Sequence, residues 1–312
     1  MKRKKNETEW GNLEGQKERQ QGLVARIGNK QALVLLEGKE IVCMLPGGEN
    51  SLETAVGDRV IVEQVSAQQY RLIEILPRST ELYRGNRRQG NRREGKQQGG
   101  RDDIRIAVNA DCLVAVVSAD YLLHQAGYLE MAAAAARRAG MEAGFFISKW
   151  DLVKESAQGF LYEKLDIYRK TGNFVYVGSA REPQEELIHA VKGKSVVIAG
   201  DRGCGKTTLI RGILQASDDI EGMEGPAGGT TAVHLYAETD GTLLTDTPGF
   251  RDWSLSHMTE EELGAVFPEI TELAEECRFA DCSHTHEDGC RVLEALREKR
   301  IRRERFDVYQ MM

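Results

Sequence analysis

The chain has 312 residues, of which 41% are hydrophobic and 29% are charged, a composition typical of folded proteins. At roughly 100–200 residues per domain, this length predicts two or three domains. Apolar runs such as the alanine stretch 132–136 are far shorter than the ~20 residues that a membrane-spanning helix needs. The basic start leads into polar sequence without the apolar segment of a secretion signal. Six cysteines without a secretion signal argue against a disulfide framework and for a reducing cytoplasm. Since the apolar runs are also short, we expect a cytoplasmic protein with no membrane contact.

The net charge is −7, from 42 basic and 49 acidic residues, which argues against a protein that simply coats nucleic acid. The basic residues are unevenly distributed. Seven of them lie between Arg84 and Arg101, with a single acid, Glu94, among Gly, Asn and Gln. This composition predicts a solvated linker over 79–103. Because clustered arginines pair with phosphates and release counterions, the segment also suits contact with RNA.

The residues before the linker predict a small β domain. Residues 1–20 are polar without periodicity, which indicates a flexible N-terminal extension. Between 21 and 78, turn residues separate five β-rich runs, at 23–27, 32–36, 41–45, 59–62 and 70–76. Five closely spaced strands predict a closed β-barrel, for which an OB-fold is the expected form. A five-stranded domain without a binding role is the alternative.

Strands and helices alternate after the linker. Strand-like runs, separated by helical sequence, lie at 104–108, 112–117, 143–147, 174–177 and 195–199. This alternation is typical of α/β domains with a parallel sheet covered by helices, and it predicts one domain over 104–256. Residues 257–312 are helical and charged and contain one cluster of cysteine and histidine, which predicts a separate C-terminal helical domain.

A phosphate-binding loop follows the strand at 195–199. Residues 200–208 read G-D-R-G-C-G-K-T-T and match G-x-x-x-x-G-K-[ST] between a strand and an amphipathic helix. Backbone N–H groups of such a loop bind phosphate at the N-terminus of the helix. We expect Lys206 to reach the β- and γ-phosphates and Thr207 to bind Mg²⁺ through its hydroxyl. The candidate nucleotide-binding residues here are Gly200, Asp201, Arg202, Gly203, Cys204, Gly205, Lys206, Thr207 and Thr208.

Two later segments fit the switch loops that respond to a γ-phosphate. Residues 246–249 read D-T-P-G at the end of a short hydrophobic strand, so Asp246 is expected near Mg²⁺ and the Gly249 N–H near the γ-phosphate. A plain turn is the alternative. The Gly-rich segment 228–231 ends in two threonines, either of which can present a hydroxyl to Mg²⁺ and the γ-phosphate. We prefer Thr231 to Thr230 as the candidate.

Two loops before the phosphate loop fit the recognition of guanine. Residues 148–151 read S-K-W-D and resemble the N-K-x-D motif of GTPases, with Ser148 in place of Asn. The Asp151 carboxylate can accept hydrogen bonds from both guanine donors, N1–H and N2–H₂, while the Lys149 stem lies over the ring. Ser179 and Ala180 follow another strand and resemble the second guanine loop, whose backbone N–H meets O6. The alternative to guanine recognition is that the domain uses ATP instead of GTP.

The order of these motifs differs from that of Ras-like GTPases, in which the phosphate loop comes first and the base-reading loops come last. Here the base loops at 148–151 and 179–180 precede the phosphate loop at 200–207. This order predicts a circularly permuted P-loop GTPase domain. Since the chain leaves that domain directly after D-T-P-G, the C-terminal domain is attached to the γ-phosphate-sensing loop.

A cluster of potential metal ligands lies in the C-terminal domain. Cys277, Cys282, His284 and Cys290 lie within 14 residues, a spacing that suits one tetrahedral Zn²⁺. Four protein ligands leave no open coordination position, so the zinc is expected to be structural. His286 is a rival to His284 as a ligand. Unligated cysteines in a helical tail are the alternative to a metal site.

Together, these features resemble the RsgA/YjeQ family of circularly permuted GTPases, from about Gly22 to the C-terminus. The resemblance rests on the barrel, the permuted order of the nucleotide motifs and the four potential metal ligands. It implies a GTP hydrolase that is stimulated by the small (30S) ribosomal subunit, binds 16S rRNA and acts late in subunit maturation. It also implies GTP and GDP as ligands, Mg²⁺ with the nucleotide, one structural zinc ion per chain and a monomer.

The sequence departs from the family pattern in the base motif and in the first switch. Ser148 replaces Asn, and Gly228 and Gly229 stand where the family has a histidine before its threonines. Phe250 follows D-T-P-G, so the glutamine that positions water in Ras-like enzymes is also absent, which is a family trait. The water-activating residue is therefore unidentified: His234, three residues after Thr231, could substitute, but it lies in a predicted strand and is expected to be a packed or surface histidine. The alternative function is a GTP- or GDP-binding RNA or ribosome docking factor with impaired hydrolysis.

Overall fold

The computed structural model describes residues 19–46, 52–66, 69–85, 104–124, 127–214, 232–251, 253 and 259–311. The switch candidates Thr230 and Thr231, the first 18 residues and most of the predicted linker, 86–103, lie outside these ranges. Eleven of the described strands form one mixed sheet, which runs from the central α/β domain into an N-terminal barrel.

Five strands close the N-terminal barrel. They are β1 (Arg19–Ile27), β2 (Gln31–Leu36), β3 (Lys39–Met44), β4 (Arg59–Ser66) and β5 (Gln69–Ile75). The strands pair in the order β1-β2-β3-β5-β4, β4 returns to β1, and β3 runs parallel to β5. Alternate apolar side chains such as Val24, Val60 and Leu72 fill the interior. The predicted OB-fold barrel is confirmed, although β1 begins within the predicted extension because Arg19 and Gln20 pair with β4.

A short two-stranded sheet links the barrel to the central domain. Strand β6 (Glu81–Arg84) pairs antiparallel with β7 (Ile104–Val108), so the start of the predicted linker is a strand. It is ordered because Leu82 is buried in the central core. Beside β6, the Arg78 guanidinium donates to both carboxylate oxygens of the buried Asp58, at 2.7 and 2.9 Å. This charge-assisted pair fixes the connecting segment to the base of the barrel.

The central domain is an α/β sheet with helices on both faces. Its strands are β8 (Cys112–Ser118), β9 (Glu142–Ser148), β10 (Phe174–Val177), β11 (Ser195–Gly200), β12 (His234–Ala237) and β13 (Leu243–Asp246). Their order is β10-β9-β8-β11-β13-β12, and only the pairing of β12 with β13 is antiparallel. Side chains of β8 alternate between two cores, Leu113 and Ala115 in one and Val114 and Val116 in the other. Burial on both faces explains the continuous apolar runs of these strands.

Helices cover both faces of this sheet. They are α1 (Ala119–His124), α2 (Tyr128–Arg138), α3 (Glu155–Lys170), α4 (Glu185–Val191) and α5 (Lys206–Ile213). Residues of α2 and α3 contribute to one core, and residues of α4 and α5 contribute to the other. The helix α5 begins directly at the end of the phosphate loop. None of the helices in the described part of the chain is long and apolar enough to span a bilayer.

Four further helices form the C-terminal region. They are α6 (Glu260–Val266), α7 (Pro268–Ala274), α8 (Arg291–Arg297) and α9 (Arg303–Met311). The buried Arg305 guanidinium in α9 donates to Glu269 at 2.5 Å and to the Val266 carbonyl at 2.7 Å. It also lies 3.6 Å from Glu130 of α2, which accepts a hydrogen bond from Tyr168 of α3. This buried network attaches the last helix to the central domain.

The barrel and the central sheet meet edge to edge. Strand β12 pairs antiparallel with β1 at His234 and Arg26. Ala25, Val56 and Leu235 bury their side chains in a small core at this junction. The strand that follows the predicted first switch is therefore continuous with the barrel.

Candidate nucleotide and metal sites

The phosphate loop lies at the C-terminal end of β11, as the sequence predicts. Gly203 and Gly205 have positive φ angles of 75° and 104°, which turn the backbone toward the N-terminus of α5. Lys206 is only 6% exposed, and its Nζ donates to the carbonyls of Gly200 at 3.1 Å and Asp201 at 2.9 Å. The ammonium group thus lies within the loop whose backbone N–H groups can bind phosphate.

The predicted magnesium ligands come together from two elements. Thr207, in the first turn of α5, donates through Oγ1 to Asp246 Oδ2 at 3.4 Å, and Asp246 ends the neighbouring strand β13. Strands β11 and β13 are parallel, so the ends that carry these residues lie at the same edge of the sheet. A hydroxyl and a carboxylate in this arrangement are oxygen ligands suited to Mg²⁺.

The D-T-P-G segment packs directly on the phosphate loop. Thr247 Oγ1 donates to the Ile198 carbonyl at 2.9 Å, and the Phe250 N–H donates to the Gly200 carbonyl at 3.2 Å. A Cβ atom added at Gly249 would lie 2.7 Å from the backbone nitrogen of Arg202, so only glycine allows this approach. The predicted sensing loop and the phosphate loop are therefore in backbone contact.

The base loops adjoin the phosphate loop from the other side. Ser148 at the end of β9 is fully buried, and its Oγ donates to the Cys204 carbonyl at 2.5 Å. Lys149 lines a cavity of about 90 Å³ together with phosphate-loop residues, and Asp151 follows in an exposed turn. Thus the serine that replaces asparagine still connects the base loop with the phosphate loop.

The second guanine loop lies next to the first. The Trp150 N–H donates to the Gly178 carbonyl at 3.2 Å, which places the buried Ser179 and its neighbour Ala180 beside the S-K-W-D turn. A Cβ atom built on Gly205 would lie 3.4 Å from the Cβ of Ala180. The structure therefore brings the four predicted segments at 148–151, 179–180, 200–208 and 246–249 to one edge of the sheet.

Two charged residues at this edge form an ion pair that the motifs do not reveal. Arg251 donates through Nε to Asp201 Oδ2 at 2.6 Å, and the Arg202 N–H donates to Asp201 Oδ1 at 2.7 Å. Partial burial raises the pKa of the Asp201 carboxyl, but these hydrogen bonds together bring it below its ordinary value. The feature of the sequence that could have indicated this ion pair is a basic residue two positions after D-T-P-G.

His234 lies in β12, at the position paired with Asp246 of β13. Its ring stacks on Tyr236 with centroids 4.3 Å apart, and its backbone pairs with the barrel. Burial, and then the neighbouring Arg26, lower the pKa of His234. The prediction of a packed strand histidine agrees with these contacts.

The four predicted metal ligands form a compact cluster. The Sγ atoms of Cys277, Cys282 and Cys290 and one ring nitrogen of His284 all lie within 4.8 Å of one another. Burial lowers the pKa of His284, although Glu287 opposes this, and a lowered pKa favours the neutral imidazole that binds a metal. His286 is exposed, and its Nδ1 is 2.7 Å from Thr285 Oγ1. Three thiols and one imidazole at these distances can hold a single metal ion, with His284 as the fourth ligand.

The fold and the arrangement of its loops define a circularly permuted P-loop GTPase with an N-terminal barrel and a C-terminal cluster of cysteines and histidine. The sequence profile of the RsgA GTPase family matches residues 75–256. The small ribosomal subunit biogenesis GTPase RsgA of Paraburkholderia xenovorans (strain LB400) is 32% identical over 306 residues, which cover 93% of this chain and 92% of that protein. The protein of the same name from Burkholderia pseudomallei (strain K96243) is 31% identical, over 95% and 92%. The chain belongs to the RsgA GTPase family.

Two solved structures resemble this chain over more than nine-tenths of its length. YjeQ from Thermotoga maritima has a TM-score of 0.67 and 26% identity, and the match covers 93% of this chain and 96% of that one. YloQ, described as a circularly permuted GTPase, has a TM-score of 0.65 and 25% identity, over 96% and 95%. The similarity extends through the barrel, the central sheet and the C-terminal helices.

Proposed function

We propose that this GTPase binds the small (30S) ribosomal subunit through its 16S rRNA and hydrolyses GTP late in the maturation of that subunit, as a cytoplasmic monomer. The observation that carries the proposal is the contact between the base loop and the phosphate loop, where Ser148 donates to Cys204. It joins two motifs that are far apart in sequence, one expected to bind the base and the other the phosphates of a single guanosine nucleotide. The names of the relatives from Paraburkholderia and Burkholderia support the ribosomal role.

The nucleotide roles follow from chemistry and position. Asp151 accepts the two guanine donors while Lys149 lies over the ring, and a backbone N–H of the loop at 179–180 meets O6. Lys206 and the backbone N–H groups of 200–208 bind the phosphates, and the Gly249 N–H meets the γ-phosphate. Mg²⁺, held by Thr207 and Asp246, neutralises phosphate charge when it is bound. Thr231, outside the described residues, is proposed to complete the first switch.

The metal of the C-terminal cluster is proposed to be zinc. Three thiolates and one imidazole are the ligands of many structural zinc sites, and they leave no open position for catalysis. The cluster lies between α7 and α8, so the ion stabilises the C-terminal helices. Chelation is therefore expected to loosen this region.

GTP turnover with and without purified small subunits tests the proposed function. Wild type is expected to release phosphate faster when subunits are present, and Lys206→Ala is expected to lose this activity because the phosphates lose their main cation. Lys170→Ala, which removes an exposed lysine at the end of α3, is the matched control. Equal turnover by wild type and Lys206→Ala would contradict the enzyme mechanism. Subunit binding without phosphate release would instead identify a hydrolysis-impaired docking factor.

Base recognition is tested by exchanging the acceptor that reads guanine. Asp151→Asn replaces one carboxylate oxygen by an N–H donor, which matches xanthine, because xanthine carries a carbonyl where guanine has its 2-amino group. The variant is expected to bind GDP at least tenfold more weakly and to gain affinity for XDP, an effect of about 1.4 kcal/mol or more. Competition titrations measure both affinities. Unchanged selectivity for guanine over adenine and xanthine would exclude Asp151 as the base-reading residue.

A further inference from the structure

The Arg251 side chain lies at the edge of the phosphate loop, two residues after Gly249. Its Nε donates to Asp201 at 2.6 Å, and its guanidinium carbon is 5.4 Å from the centre of the Tyr121 ring. We propose that Arg251 is a catalytic residue, which exchanges Asp201 for the γ-phosphate of GTP and stabilises the charge that develops there. This inference rests on the proposed function and names a group that acts in its chemical step.

The backbone before Arg251 keeps the guanidinium near the phosphate site. The Phe250 N–H donates to Gly200 at 3.2 Å, and Gly249 approaches the Arg202 backbone too closely to carry a side chain. These contacts anchor the chain on the phosphate loop immediately before the arginine. Arg251 therefore remains at the loop when its side chain changes partners.

The reaction needs positive charge at this position. A water oxygen attacks the γ-phosphorus while the bond from that phosphorus to the β–γ bridging oxygen breaks, and GDP leaves with the electron pair of that bond. Both water protons end on inorganic phosphate. Arg251 stays protonated throughout and acts through its charge and its N–H donors. Phe250, the residue after Gly249, is 6% exposed and packs on Trp253 at 4.8 Å, so its side chain provides no polar group to the reaction.

The pairing with Asp201 is suited to such an exchange. The side chains of Arg251 and Asp201 are 46% and 29% exposed, and solvent screening makes half-exposed ion pairs weak. A guanidinium placed on a transferring phosphoryl group accelerates hydrolysis by about 10³- to 10⁵-fold in related P-loop enzymes. GTP offers more negative charge than one carboxylate, whereas GDP lacks the γ-phosphate. Asp201 thus orders Arg251 in the GDP state and releases it in the GTP state.

Single-turnover hydrolysis of preloaded GTP in the presence of small subunits tests this inference. Arg251→Ala is expected to slow hydrolysis by about 100-fold or more, and Arg251→Lys by less, because lysine keeps the charge but not the fork of donors. GDP affinity is expected to stay within about threefold of wild type, since the loss concerns the transition state. Arg169→Ala, at the exposed C-terminal end of α3, is expected to hydrolyse GTP as wild type does.

A second measurement reports the transition state directly. GDP with aluminium fluoride mimics the transferring phosphoryl group, and it is expected to bind wild type with subunits but not Arg251→Ala. Arg169→Ala, the exposed control, is expected to retain the bound mimic. Hydrolysis by Arg251→Ala within about threefold of wild type, or full retention of the mimic, overturns the inference alone. Wild type that binds GTP but never hydrolyses it overturns the inference and the proposed function together.

Discussion

The hydroxyl of Ser148 allows a quantitative test of how the base loop supports the phosphate loop. Replacement by alanine removes the Oγ that donates to Cys204 at 2.5 Å, in a position that solvent does not reach. A buried hydrogen bond contributes about 1 kcal/mol net, and a buried carbonyl that loses its donor costs about 1–3 kcal/mol. Ser148→Ala is therefore expected to lower the free energy of unfolding by about 1–3 kcal/mol, measured by urea denaturation.

The same substitution is expected to weaken nucleotide binding. Without the hydrogen bond from Ser148, the phosphate loop populates conformations that do not bind phosphate, and the apparent dissociation constant rises as the competent fraction falls. If about 1 kcal/mol of the lost stability shifts the phosphate loop from binding to non-binding conformations, the dissociation constant of GDP rises about fivefold. Titration with a fluorescent GDP analogue measures this change.

Thr242→Val is the matched control for Ser148→Ala. Thr242 is also buried, and its Oγ1 accepts a hydrogen bond from the Gly193 N–H at 2.8 Å, at the end of the sheet opposite the nucleotide loops. It is expected to lose similar stability while GDP affinity stays unchanged. If both variants lose stability and Ser148→Ala binds GDP as tightly as wild type, the coupling between the loops is refuted.

Three other predictions concern the C-terminal region and the linker. Arg305→Ala is expected to lower the free energy of unfolding by about 3–5 kcal/mol, because it leaves buried Glu130 without its cation; a loss below about 1 kcal/mol in urea denaturation would contradict this. Chelation is expected to make the thiols of the metal cluster react with iodoacetamide, whereas Cys43 and Cys112 stay unreactive because burial raises their pKa to about 11 and about 12. Identical labelling before and after chelation would exclude a bound metal. Deleting 86–101 is expected to make RNA binding less sensitive to salt, and an unchanged slope of affinity against salt would show that the linker is only a tether.

The parts predicted from sequence were those whose signals are local. The strand, the glycine-rich turn and the helix of the phosphate loop lie within 195–213, and each is encoded by its own residues. The barrel was predictable because five alternating runs are separated by turn residues.

The parts that were not predicted depend on contacts between distant residues. Ser148 and Cys204 are 56 positions apart and Arg251 and Asp201 are 50 apart, so both pairs exist only after the sheet has assembled. The start of the predicted linker forms β6 by pairing with β7. Because β7 follows the linker in sequence, the residues of β6 alone do not reveal this pairing. Spacing alone left two histidines as rivals, and the structure separates them because a ring nitrogen of His284 lies among the three thiols.

The edge-to-edge junction of β12 with β1 has a mechanical consequence. Neighbouring strands are held about 4.8 Å apart by backbone hydrogen bonds, which resist stretching far more than a peptide tether does. A tilt of β12 would therefore rotate the attached barrel, and the barrel strands farthest from the junction would move most. Since β12 also pairs with β13 at Asp246, a shift at the nucleotide edge that moved this strand would reorient the barrel without a separate hinge.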